Sequence, residues 1–135
     1  MLELAADSLQ RTGRLRLRVT GWSMLPAIRP ADILEVRRAE ASEVVAGRIV
    51  LFQREGRFFA HRVVRREHGR LVTRGDTLPS EDSPLDEREL LGEVIAIERC
   101  GRTAMPQAKW IDRAGAFLFR RSDLAARLFT RWCAA

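Results

Sequence analysis

The stretch VTGWSMLPAIRPADILEV, Val19 to Val36, closes one apolar alternation and opens another. Between the two, Ser23 is followed directly by Met24, then by Pro26 and Pro30, with Asp32 ahead of the next apolar run. Proline fixes φ and lacks an N–H, so this connection is stiff and does not continue a strand. A small hydroxyl held at such a strand end is either a turn residue or a nucleophile. A serine attacks only when a base removes its proton, so the distinction rests on what the other segments bring to it.

Upstream, RLRLRV (Arg14 to Val19) alternates strictly, with Leu15, Leu17 and Val19 on one face and three arginines on the other. That period predicts a half-buried strand. Further strands are expected over 32–38, 47–53, 57–67, 70–76 and 90–99, joined by turns such as Glu55-Gly56 and His68-Gly69. Residues 77–88, rich in Pro, Ser and acids, read as a loop, and residues 2–10 as a short helix with Leu2 and Leu9 on one side. After Pro106 the period becomes helical: Trp110, Ala114, Leu128 and Trp132 recur at three- and four-residue spacing, and Ser122-Asp123 is a candidate cap. The expected fold is mainly β, a small antiparallel coiled sheet or barrel with C-terminal amphipathic helices. Residues 1–103 form the β part with its N-terminal helix and 104–135 a helical appendage, within the one domain that 135 residues imply.

The formal charge is +6, and of the 24 basic residues only Lys109 is a lysine. This balance favours an anionic partner, a lipid headgroup surface or nucleic acid, or else a solvated arginine-rich exterior. Nucleic acid is the weaker of the two partners, because no aromatic–basic recognition motif is present. Cys100 and Cys133 stand alone, without the spacing of a zinc site or a disulfide framework, and Cys100 reads as a small hydrophobe ending a strand. No metal or organic cofactor is indicated. The N-terminus lacks a signal-peptide run, and no window reaches 18 uncharged apolar residues, so a soluble or peripheral protein is expected, leaning cytoplasmic.

GWSMLPAIRPAD, then GRIVLF, AHRVV and LVTRGDTLPSED follow one another between Val19 and Ile97. In that order they resemble the four boxes of the type I signal peptidases and the related SOS-repressor peptidases. The third box carries His61 where the bacterial signal peptidases and the repressors have lysine, and so is most similar to the endoplasmic-reticulum and archaeal form. The single lysine lies far from any expected strand, which independently leaves His61 and His68 as the candidate bases. Histidine titrates near neutrality and needs an orienting carboxylate more than it needs desolvation.

The resemblance implies a serine endopeptidase acting on a peptide or preprotein bound as an added strand, with Ser23 as nucleophile and His61 as base. Asp82 is the expected orienting acid. Asp76 is the alternative, or else a structural acid that holds the loop. Gly21, Trp22, Met24 and Pro26 flank Ser23 and are the expected substrate contacts, Met24 serving equally as core. Four positions depart from the family pattern. Ala31 replaces the glycine of a Gly-Asp pair, which suggests a turn that does not need positive φ. Thr77 and Leu78 stand where two asparagines often follow. Gly21 replaces a serine that often donates to the oxyanion, leaving that task to backbone N–H groups, first that of Ser23. A peptidase fold that has lost catalysis and binds protein or nucleic acid is the competing reading.

Overall fold

The structure, a computed structural model, describes residues 2–106. Lys109, Cys133 and the expected C-terminal helices lie outside the described residues. Helix α1 (Leu2–Thr12) leads into β1 (Arg14–Arg18), followed by β2 (Ile33–Arg38), a short 3-10 turn at Ala41–Glu43, β3 (Ile49–Arg54) and β4 (Arg57–Glu67). Strands β5 (Arg70–Arg74), β6 (Leu90–Arg99) and β7 (Arg102–Ala104) complete it. Each of these strands except β7 overlaps an expected span; β7 is a three-residue strand with every residue exposed and therefore carries no apolar signal.

All pairings are antiparallel, in the order β1-β2-β6-β3-β4-β5, with β7 on β6. Strand β6 is the junction. One edge runs along β2, while the other pairs with β3 near Gly92 and with β7 from Ile97 onward. Register shifts at Glu35/Val36, Leu51/Phe52 and Val63/Arg65 bend the strands, as bulges do. Among the described residues β1 pairs only with β2 and β5 only with β4, so these strands form an open coiled sheet and not a closed barrel.

Strand β3 explains how this sheet is stabilised. Its run Ile49-Val50-Leu51-Phe52 is buried throughout, so both faces are covered. Ile49 and Leu51 join Leu9, Met24, Ile28, Leu34, Val36, Val94 and Ile97 in one cluster. Val50 and Phe52 join Ala39, Val44, Val63, Leu71 and Leu85 in a second. Helix α1 contributes Leu9 to the first cluster and leaves Leu4 in solvent. Many arginines are spent on the outer face in cross-strand ion pairs, Arg14 with Glu35 and Arg16 with Glu98 among them.

The connection through Pro26 and Pro30 is held by one buried acid. Asp32 is 3% exposed; its carboxylate accepts from the Arg29 N–H at 2.7 Å and from both Nε and a terminal nitrogen of Arg99. The expectation for Ala31 is overturned, because its φ is +74°. Ala31 donates its N–H to the Val19 carbonyl, and Val19 donates to the Asp32 carbonyl, so two residues oppose one. A bulge of this kind takes its first residue into the left-handed region, where a Cβ is unfavourable. Cys100 is also corrected: it is exposed, with φ +50°, in the turn between β6 and β7, not packed as a hydrophobe.

Because Ala31 is exposed and has no packing to lose, Ala31→Gly should raise stability by about 0.5–1 kcal/mol in urea unfolding, the relief of the left-handed strain less the added unfolded-state entropy. A destabilised glycine variant would contradict this account of the bulge.

Candidate active site

Ser23 lies half-buried in the turn after β1, and His61 lies in the middle of β4, paired with Val50 of β3. The two meet across 38 positions of sequence: Ser23 Oγ is 3.1 Å from His61 Nε2. On the other side of the ring, His61 Nδ1 is 2.7 Å from Asp82 Oδ2. A carboxylate only accepts, so Nδ1 carries the proton and Nε2 is left as acceptor for the serine hydroxyl. The ring is 3% exposed and sits against two aromatic rings, edge-on to Phe52 at 5.7 Å and tilted to Phe59 at 5.8 Å. Its rotamer is therefore set by packing as well as by hydrogen bonds.

Asp82 is positioned by a segment with little regular structure but many anchors. Its N–H bonds to the Thr73 carbonyl at 2.8 Å, and Leu85 repeats the pattern on Leu71. The Thr73 hydroxyl donates to Asp82 Oδ2 at 2.7 Å. Arg54 reaches over the Phe52 ring, forks onto Glu89 at 2.7 and 2.8 Å, and donates to the Ser83 and Pro84 carbonyls. Burial alone pushes the Asp82 carboxyl up, but the hydrogen bonds from His61 and Thr73, with Arg54 nearby, leave it below its ordinary 3.8. Glu89 is likewise held below its usual range, chiefly by the Arg54 hydrogen bonds.

Asp76 occupies a different place. It takes both Nε and a terminal nitrogen of Arg62, at 2.9 and 2.8 Å, while Arg62 also donates to the Gly47 carbonyl at 2.8 Å. That pair anchors the turn that backs the serine. Thr77 N–H donates to the Ser23 carbonyl at 2.9 Å, the Thr77 hydroxyl to that of Trp22, and Asp76 N–H to Met24 Sδ at 3.3 Å. Gly75 makes the approach possible, since a Cβ there would stand 2.9 Å from the Ser23 carbonyl oxygen. The Ser23 N–H has no acceptor among the described residues.

A cleft of about 650 Å³ opens beside the serine. Residues 17–24 form one wall, residues 56–61 the other, and Ile28, Leu34 and Leu51 the floor. Both walls are unpaired strand edges. Among the described residues, β5 pairs with β4 only from Arg62 onward, and β1 has no neighbour besides β2. Val63 and Val19 bond inward, to Arg48 and to Asp32, so alternation turns the main-chain groups of Phe58, Ala60, Arg18 and Thr20 toward the open side. Gly21, Trp22 and Met24 line this cleft and Pro26 does not; its place is in the connection behind Ser23. Met24, 3% exposed, is also part of the first core cluster.

His68 stands apart, in the β4–β5 turn with φ +48°. Thr73, Arg54 and Arg62 were not singled out by sequence reasoning. Thr73 carried a usable signal, a polar residue in register with Leu71 on the inward face of a strand, where a buried hydroxyl needs a partner. Among the described residues no three His, Cys, Asp or Glu side chains are grouped so as to hold a metal ion, and no helix is long and apolar enough to cross a membrane.

A carboxyl held below its unfolded value contributes stability that is present above that value and lost as pH falls through the folded one. The contribution of Asp82 to urea stability should therefore be complete above pH about 5 and be lost on further acidification, and Asp82→Asn should remove part of the wild-type acid drop. Identical acid limbs in the two proteins would contradict the pairing.

No curated protein matches the chain. The family comparison is positive: the Peptidase S24-like family model matches residues 2–95, the span that contains the serine turn, His61 and Asp82. The chain belongs to the Peptidase S24-like family, and with it to the superfamily that includes the type I signal peptidases.

Proposed function

We propose that this chain is a serine endopeptidase in which Ser23, His61 and Asp82 act in series. One observation carries the reading: hydroxyl, imidazole and carboxylate stand in line at 3.1 and 2.7 Å at the end of an apolar cleft bounded by two free strand edges. An extended peptide can add to those edges through its own main chain, which presents a scissile carbonyl to Ser23. Nε2 accepts the serine proton as Oγ attacks, and the resulting imidazolium is stabilised by Asp82. The oxyanion finds the uncommitted Ser23 N–H. Collapse transfers the proton from Nε2 to the departing amine and leaves an acyl-serine, which water then hydrolyses by the same route.

Imidazole in place of lysine as the base, as in the endoplasmic-reticulum and archaeal signal peptidases, is part of this proposal. One observation supports it: His61 reaches Ser23, with Oγ 3.1 Å from Nε2. Asp76 acts on the nucleophile only through the turn it anchors with Arg62.

Incubation with a mixed peptide library should show cleavage by wild type. Ser23→Ala and His61→Ala should each lower kcat/KM by about 1000-fold or more, and Asp82→Asn by about 100-fold or more. Absence of cleavage by wild type, or cleavage that survives Ser23→Ala, overturns the proposal. Tight peptide binding without turnover would then favour a binding module built on the same cleft.

A further inference from the structure

Two arginines stand at the cleft with no acid beside them among its described lining. Several arginines elsewhere on the sheet face carboxylates: Arg37 and Arg48 share Glu93, Arg54 holds Glu89, and Arg70 meets Asp86. Arg18 and Arg57 both line the cleft, one on each wall, and neither has a carboxylate within ion-pair distance among the described residues.

Strand register explains both. Arg14 and Arg16 find acids on the neighbouring strands, whereas Arg18 lies opposite Ile33. Arg57 lies opposite Arg54, whose guanidinium is drawn away to Glu89, so the end of that hairpin is left positive. Glu55, in the same turn, makes no ion pair with Arg57. Among the described residues no Asp or Glu lines the cleft. The cavity beside α1 differs, since its Arg38, Arg66 and Arg88 are accompanied by Glu40 and Glu87. Two like charges above an apolar floor focus a positive potential where a peptide would enter.

We infer that the cleft selects peptides bearing an acidic side chain, gripped between Arg18 and Arg57, about four residues from the bond that is cut. The position rests on the peptidase reading above. Arg57 precedes His61 by four residues along β4, which at strand rise is about 13 Å. Arg18 precedes Ser23 by five residues on the opposite wall. A strand lying between the edges and reaching Ser23 runs past both residues, with Arg57 setting the distance from the reacting carbonyl. The apolar floor takes the side chains between that acid and the cut.

The test uses a cleaved peptide in which a single Glu is walked from five residues before the scissile bond to five after it, with Gln at each position as the control. Cleavage should favour Glu over Gln by about fivefold in kcat/KM at one location, three to five residues from the bond on one side, as expected for exposed ion pairs. The preference should shrink in 0.5 M NaCl, where screening is strong. It should vanish in Arg18→Gln/Arg57→Gln and turn toward Lys in Arg18→Glu/Arg57→Glu. Neither arginine has an ion-pair partner to lose among the described residues, so both double variants should melt as wild type does. A flat Glu profile, a peak adjacent to the cut, or a preference unchanged in the double variants overturns the inference while leaving the peptidase intact. Binding of the Glu and Gln peptides to Ser23→Ala separates the two ideas. Glu-selective binding with no wild-type cleavage sinks the peptidase and retains the acidic selectivity; unselective binding sinks the selectivity.

Discussion

Two neighbouring residues of β4 each hold one acid of the segment that follows β5. His61 bonds to Asp82 and Arg62 to Asp76, and because adjacent strand residues point to opposite faces, the segment is gripped on both sides of the sheet. Through Asp76 the grip extends to the turn that carries Ser23, and through Asp82 to the imidazole that faces the same hydroxyl. A displacement of β4 along its axis would therefore move the proposed base, its acid and the backing of the nucleophile together. The arrangement keeps their mutual distances when the strand shifts as a whole.

The two grips differ energetically. Arg62 and Asp76 are almost withdrawn from water, with side chains 10% and 12% exposed. A charge pair so placed repays its desolvation only when its hydrogen bonds are complete, and this one has a bidentate fork plus the Gly47 carbonyl. Its contribution is chiefly positional: it makes the turn behind Ser23 expensive to rearrange. Asp82 is wetter and is satisfied by smaller groups, a ring N–H and a threonine hydroxyl. That suits a carboxylate whose proposed task is to stay ionised beside an imidazole that gains and loses a proton.

The cleft follows from incomplete pairing. A free edge is normally a hazard that invites unwanted strand addition. Here two such edges face a shared apolar floor, and arginines rather than hydrophobic residues mark their outer ends. Opening the sheet, instead of closing it as a barrel, is what leaves those main-chain groups available to a peptide. The bend supplied by the bulges brings β1 and β4 across from each other although three strands separate them in the sheet order.

Strand positions were legible in the chain itself because alternation at period two records, residue by residue, which side meets the core. Leu15, Leu17 and Val19 against Arg14, Arg16 and Arg18 require no knowledge of the remaining fold. The scarcity of alternatives also pointed to His61, in a chain with two histidines and one lysine. The resemblance favoured Asp82 over Asp76, but which acid bonds to the imidazole is set by the tertiary structure, because the two share a loop whose path depends on Thr73, Leu71 and Arg54 rather than on its own residues. Tertiary structure also decided the left-handed turn at Ala31, where ladder bonds to Val19 overrode the preference of an alanine side chain. Local pattern encodes burial; the meeting of distant polar atoms is encoded only by how buried strands cross.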